Sequence, residues 1–146
     1  MTMTATRPPV VVDLEWQGEL RFAGRSGATE IVLDSRAEAG PSPIQALAYG
    51  LAGCMAIDVV NILLRGRHPV TSLRASLVGH RADEVPARFT AFALHFDVVG
   101  EVPAGAVDRA IALSREKYCS VWHSLRQDIE LTTSVLIAGP DPGLTL

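Results

Sequence analysis

The longest apolar stretch of the chain, residues 44–65, constrains its fold more than any other feature. Its large apolar residues recur at helical spacing, and the opposite face also carries apolar or small residues. Asp58 and Asn61 interrupt the stretch, so its uncharged run is shorter than the roughly 18 residues of a membrane span. A helix that is apolar on every side is one that packs on several sides. We therefore expect a buried helix at the centre of the fold, with Ser42 as its cap and Pro43 at its first position.

Shorter segments on both sides of this helix have strand or helix patterns. Strand patterns lie at residues 10–14, 21–22, 29–33, 72–80, 88–100 and 129–137, and Gly24 and Gly27 predict a turn between the second and the third. Helical patterns lie at residues 103–115 and 119–125. This order predicts an α+β domain with antiparallel sheets around the long central helix.

Length and composition set the class of protein. The 146 residues are 48% hydrophobic, which suits a single domain over residues 10–138, with flexible ends at 1–9 and 139–146. A net charge of −3 and an aromatic content of 5% argue against nucleic-acid binding. Because the N-terminal residues lack a signal peptide and two cysteines are too few for a secreted disulfide scaffold, we expect a cytoplasmic protein with no membrane partner.

The two cysteines are the strongest candidates for chemistry. Cys54 lies in the middle of the long helix, after small residues that would let another segment approach closely. Cys119 lies near the start of a short helix, close to Lys117, and both features favour a thiolate. Taken alone, each cysteine is more often a packing residue than a reactive one. If the fold brings them together in a cytosolic protein, the usual meaning is a redox couple.

The patterns of several other kinds of site are missing. His68, His80, His95 and His123 show no metal-ligand spacing, although His80 and His95 lie on neighbouring predicted strands. The chain has no glycine-rich phosphate loop and no strand–elbow–helix around a serine. We therefore predict neither a metal nor an organic cofactor.

Two motifs resemble those of the OsmC/Ohr family, the osmotically inducible protein C and organic hydroperoxide resistance proteins. The first is Pro41-Ser42-Pro43 followed by a small-residue helix with Ala52-Gly53-Cys54 and Ala56-Ile57-Asp58-Val59-Val60; the second is Glu116-Lys117-Tyr118-Cys119-Ser120-Val121. The element order agrees as well, so the resemblance covers residues 10–136. It implies an OsmC-like fold in an intertwined homodimer, with two active sites at the subunit interface. It also implies that Cys54 is the peroxidatic thiol and Cys119 the resolving thiol, that a dithiol, often a lipoyl group on another protein, is the reductant, and that no cofactor is bound.

The chain departs from this family at one functional position. The hydroperoxide-resistance branch has a glutamate after the proline that opens the central helix, and Ile44 stands there in this chain. The resemblance is therefore closest to the OsmC-like branch. Arg36, in the loop before the helix, is our first choice for the catalytic arginine, with Arg25 and Arg21 as alternatives. Glu38 is a weak substitute for the missing carboxylate.

Two functions follow as hypotheses. The first is a thiol-dependent peroxidase that reduces organic hydroperoxides through Cys54 and Cys119, with Arg36 stabilising the thiolate and the leaving oxygen. The second is an OsmC-like protein that binds a small molecule or a thiol carrier and has weak or no peroxidase activity. Ile44 favours the second hypothesis, whereas the presence of both cysteine motifs favours the first.

Overall fold

The computed structural model describes residues 6–139 of the chain. These residues form two compact units, one ending at Leu47 and the other beginning at Ala48. The expected flexible ends lie largely outside the described residues, and a single domain over residues 10–138 stays a prediction.

The first unit contains a three-stranded antiparallel sheet, as the sequence predicts. Its strands are β1 (Asp13–Trp16), β2 (Arg21–Ser26) and β3 (Thr29–Asp34), in the order β1-β2-β3. We had expected Gly24 to belong to the turn, but it lies within β2 opposite Leu14 and Ile31. The turn consists of Gly27 and Ala28, where Gly27 takes a φ of 58° that suits a residue without a Cβ.

Asp34 organises the loop that follows β3. Its carboxylate accepts hydrogen bonds from the backbone N–H groups of Arg36, Glu38 and Ala39 and from the side chain of Arg21, at 3.0–3.3 Å. These bonds, with the backbone donors first, hold the pKa of Asp34 at about 2, below its usual value. The carboxylate therefore stays charged and holds the loop closed.

The long helix α1 (Pro43–Arg65) begins where the sequence predicts. The backbone N–H of Gln45 donates to Ser42 Oγ at 3.3 Å, and the backbone N–H of Ser42 donates to Gln45 Oε1 at 3.0 Å. This reciprocal pair is a capping box, which satisfies two donors that a helix start leaves free.

The burial of α1 differs from our expectation of a helix packed on several sides. One stripe along it is buried, made of Leu51, Met55, Val59 and Leu63. Other apolar residues stay exposed, with Tyr49 at 72% and Ile57 at 70%. A single copy of the chain thus covers only one face of the helix. The length and hydropathy of α1 would also suffice for a membrane span, a property shared by core helices of soluble proteins.

The second unit contains a three-stranded sheet in the order β4-β5-β6. Its strands are β4 (Val70–Arg81), β5 (Phe89–Gly100) and β6 (Glu130–Ala138), and β5 carries the fully or nearly fully buried Phe92, Leu94, Phe96 and Val98. β4 and β5 are antiparallel, but β6 runs parallel to β5, which differs from the predicted antiparallel pairing. The reason is the connection, because a long helical crossover returns the chain to the same end of the sheet before β6 starts.

That crossover contains an irregular helical segment. Helix α2 (Ala104–Leu113) lies against β6 and continues into a π-helical turn, Ser114–Tyr118. Cys119 then adopts an extended conformation and caps α3 (Ser120–His123). The predicted short helix near Cys119 is present, whereas the wider π turn was not foreseen. Such π turns are frequent at functional sites.

Candidate thiol site

The fold brings the two cysteines together. Cys54 comes from the middle of α1 and Cys119 from the residue before α3. Their sulfur atoms and a carboxylate oxygen of Asp58 all lie within 4.8 Å of one another. Both cysteines are free thiols. The sequence could name these cysteines as a possible couple, but only the packing of α1 against the end of the crossover makes them neighbours.

Cys119 is completely buried. Its Sγ accepts a hydrogen bond from the backbone N–H of Trp122 at 3.3 Å. Burial, together with smaller contributions from the neighbouring Cys54 and Asp58, raises the pKa of the Cys119 thiol to about 11, although the hydrogen bond from Trp122 acts in the opposite direction. Cys119 is therefore a protonated thiol at neutral pH, contrary to the thiolate that its place in the sequence favoured.

Cys54 is half-buried, and its Sγ lies 3.9 Å from Ser120 Oγ. The small residues before it do not serve a close approach within the described chain, because a Cβ placed on Gly50 or Gly53 would meet no atom within 4 Å. This side of α1 is therefore open. Of the two sulfurs, Cys54 is the one that a molecule from solvent can reach.

Asp58 is the residue of this site that sequence reasoning missed. It lies one helical turn after Cys54, so both side chains project from the same side of α1. The Ser114 hydroxyl, which is completely buried in the π turn, donates to Asp58 Oδ2 at 2.8 Å. The sequence signal was the spacing of four residues between Cys54 and Asp58, whereas we had used Asp58 only as an interruption of the apolar run and as part of the first family motif.

The three candidate arginines all lie in the first unit and differ in their partners. Arg21 forms ion pairs with Asp34, Glu38 and Glu19, and Arg25 forms one with Glu30 at 3.2 Å. Arg36 is exposed, and among residues 6–139 its guanidinium has no ion-pair partner. Glu38 pairs with Arg21 and not with Arg36. Of the three guanidinium groups, that of Arg36 is thus the one left available for an outside ligand.

The first turn of α1 contains no acidic residue. Ile44 is half-buried there, and the neighbouring Gln45 is engaged in the capping box. The structure therefore supplies no carboxylate at the position of the family glutamate.

Within the described part of the chain, residues 6–139, the two histidines on neighbouring strands, His80 and His95, are not paired with each other. The β4–β5 register places Ser76 opposite His95 and Ala91 opposite His80, so the two strands do not pair these histidines. His95 bonds instead to Ser134 Oγ at 2.8 Å and to Asp97 Oδ1 at 3.1 Å.

Comparisons with known proteins agree with this fold. The chain is 39% identical to protein YhfA of Escherichia coli (strain K12) over 124 residues, which cover 83% of this chain and 92% of that one. A crystal structure of a hypothetical protein from Aquifex aeolicus VF5 superposes with a TM-score of 0.85 at 27% identity and covers 92% of this chain and all of that one. An organic hydroperoxide resistance protein OsmC from Legionella pneumophila shares the fold with a TM-score of 0.67 at 14% identity, covering 90% and 98% of the two chains. The family described as OsmC-like protein matches residues 34–134, and we conclude that this chain belongs to that family.

Proposed function

We propose that this protein is a cysteine-dependent peroxidase that reduces organic hydroperoxides, with Cys54 as the attacking residue and Cys119 as the resolving residue. The observation that carries the proposal is the placement of two free thiols within 4.8 Å of each other, one half-exposed and the other buried. Membership of a family that includes organic hydroperoxide resistance proteins supports it.

The reaction has two balanced steps. In the first, the Cys54 thiolate attacks the distal oxygen of the hydroperoxide, the O–O bond breaks, and the alkoxide takes up a proton and leaves as an alcohol. Cys54 is thereby oxidised to a sulfenic acid and the peroxide is reduced. In the second step, Cys119 Sγ attacks the sulfenic sulfur, its proton passes to the departing hydroxyl, and one water molecule and the Cys54–Cys119 disulfide form.

The different burial of the two sulfurs supports this division of roles. An attacking thiolate has to be reached by the substrate, and Cys54 is the half-exposed sulfur. A resolving thiol has to be protected from the peroxide yet close to the sulfenic acid. Cys119 is fully buried, and its pKa of about 11 keeps it as a thiol until the second step. Cys119 lies at the extended residue between the π turn and α3, and a disulfide bond of about 2 Å requires its sulfur and that of Cys54 to move closer together.

The remaining parts of the proposal concern Arg36, the dimer and the reductant. We assign Arg36 to the stabilisation of the thiolate and of the charge on the leaving oxygen, because its guanidinium lacks an ion-pair partner among the described residues.

The exposed apolar side of α1, with Tyr49 and Ile57, suits burial by a second copy of the chain in a homodimer. A dithiol such as a lipoyl group on another cytoplasmic protein would restore the two thiols.

The proposal is tested by a single exposure of the reduced protein to one equivalent of cumene hydroperoxide. We expect two thiols to disappear and peptide mass spectrometry to find a disulfide between Cys54 and Cys119 of one chain. Met55 is a necessary control, because it follows Cys54 and a methionine sulfoxide has the same added mass as a sulfenic acid. The variant Met55→Leu should therefore behave as the wild type. If both thiols of the wild type survive the peroxide, the peroxidase proposal is wrong.

The alternative function is the binding of a small molecule or a thiol carrier without efficient peroxide reduction. The absence of an acidic residue from the first turn of α1 favours it, because the family glutamate has no counterpart there. Under this alternative, the Ile44→Glu variant should acquire a rate of peroxide consumption that the wild type lacks. A wild type that consumes peroxide as fast as Ile44→Glu would remove the reason for preferring this alternative.

A further inference from the structure

We infer that Cys54, Asp58 and Cys119 form a binding site for one zinc ion. The inference goes beyond peroxide reduction and does not depend on it, although an ion held by both sulfurs would block their oxidation. It rests on the kind of donor atoms in the cluster, on their spacing and on the support of the carboxylate by Ser114.

The donor atoms are those that zinc prefers. Two thiolates and one carboxylate select a borderline-soft divalent ion, whereas Mg²⁺ and Ca²⁺ require a set of oxygen ligands. The three groups together carry a charge of about −3 when all are ionised, which a divalent cation offsets to a large extent.

The distances suit one ion. All three donor atoms lie within 4.8 Å of one another. Because a Zn–S bond is about 2.3 Å long, two sulfur ligands of one tetrahedral zinc lie about 3.8 Å apart. Side-chain rotation at the half-buried Cys54 can supply the remaining shift, while Asp58 projects from the same side of α1 at a spacing of four residues. Cys119 approaches them from the residue that caps α3.

Ser114 holds the carboxylate in place for such a role. Its buried hydroxyl donates to Oδ2 of Asp58 at 2.8 Å and leaves the other oxygen free to coordinate. Hydrogen bonds of this kind fix the orientation of ligating carboxylates and strengthen metal binding. The half-buried Cys54 leaves one side of the cluster open, so that three protein ligands and one water molecule complete a tetrahedron.

Cobalt(II) is the probe for the test, because a tetrahedral site with thiolates gives it an intense charge-transfer absorption and visible bands. Reduced, metal-free protein is titrated with Co²⁺ in the absence of oxygen. We expect saturation at one equivalent, thiolate-to-cobalt absorption, and displacement of the cobalt by Zn²⁺. Bound zinc should also protect Cys54, the sulfur that solvent reaches, from a thiol reagent.

Variants connect the absorption to the three residues. Cys54→Ser and Cys119→Ser should each lower the charge-transfer absorption, and Asp58→Asn should weaken binding by about tenfold or more. Asp108→Asn removes an exposed carboxylate of α2 outside the cluster and should leave binding unchanged. Wild-type protein with Cys54 blocked by N-ethylmaleimide should show a reduced charge-transfer absorption, which makes the result independent of whether a variant folds.

Several results would overturn the zinc site. They are a cobalt spectrum without thiolate absorption, a spectrum unchanged in Cys119→Ser, and equal affinities in Asp58→Asn and the wild type. Peroxide consumption by the metal-free protein is measured in parallel. Peroxide reduction without cobalt binding would contradict only the zinc proposal. Cobalt binding without peroxide reduction would contradict only the peroxidase proposal.

Discussion

Each of the two units contains an aspartate that accepts a side-chain hydrogen bond, Asp34 and Asp58, and the two aspartates differ in how many other hydrogen bonds they accept. Asp34, in the first unit, receives bonds from three backbone N–H groups and from Arg21. Asp58, in the second unit, receives one side-chain bond, from Ser114, and has two sulfur atoms within 4.8 Å. A carboxylate whose acceptor positions are filled by the surrounding loop is structural. A carboxylate with one donor and two thiols beside it remains available for chemistry.

The largest expected effect is the loss of peroxide turnover when Cys119, one of the two thiols beside Asp58, is replaced. With Cys119 replaced by serine, the attacking sulfur remains but the disulfide cannot form. We expect Cys119→Ser to consume the first equivalent of cumene hydroperoxide and then to stop, with the dithiol-dependent turnover at background. Mass spectrometry should find Cys54 as sulfenic or sulfinic acid. Continued turnover at the wild-type rate would show that the reductant attacks Cys54 directly and that Cys119 is not the resolving residue.

The next largest effect is a difference in thermal stability between variants of the two carboxylates, Asp34 and Asp58. Asp34→Asn replaces a charged acceptor of four hydrogen bonds, so we expect a clear loss of thermal stability. Asp58→Asn should lower the melting temperature much less, because only the bond from Ser114 is affected. Differential scanning calorimetry of both variants measures the difference. An equal loss of stability in the two variants would contradict the structural role assigned to Asp34 alone.

The acid dependence of stability is a smaller effect with a definite sign. The pKa of Asp34 is about 2 in the folded protein and 3.8 in the reference state, so its charge stabilises the folded state above the higher value. This contribution should diminish as the pH falls from about 5 towards 2. Urea unfolding over that range should show the decline in the wild type. In Asp34→Asn the same curve should be flatter, and an identical slope would contradict the assignment.

The smallest effect is expected at Ser114. Ser114→Ala removes the buried hydroxyl that donates to Asp58, and one such hydrogen bond contributes about 1 kcal/mol to the free energy of unfolding. The companion Ser124→Ala removes an exposed hydroxyl that bonds to the backbone of α3 and should cost less. Chemical denaturation compares the two variants. A larger loss in Ser124→Ala would show that the Ser114–Asp58 bond contributes little.

Local patterns predicted some parts of this molecule well. The serine and proline before residue 44 predicted the start of α1, and the capping box confirms it. Alternation of apolar residues predicted the strands of the first sheet, and the motifs around Cys54 and Cys119 led to the family. These features depend on residues that are near one another in the chain, so a single sequence contains their signal.

Other parts could not be predicted from local patterns. The parallel pairing of β6 with β5 depends on the path of the crossover, and the exposed side of α1 depends on what covers it. The hydrogen bond between Ser114 and Asp58 joins residues 56 positions apart, and no pattern in either segment predicts it. The raised pKa of Cys119 follows from burial, which is a property of the packed structure and not of its neighbours in the chain.

The sequence by itself determined the long apolar helix, the α+β element order and the presence of two cysteine motifs of the OsmC-like family. Periodicity, capping and motif spacing are local properties, so they can be recognised in the sequence alone. Only the tertiary structure decided that the two sulfurs lie close together, that Asp58 lies beside them, and that Cys54 is half-buried while Cys119 is fully buried. The physical reason is that distance and burial between remote segments arise from packing, which brings together residues that the chain keeps apart.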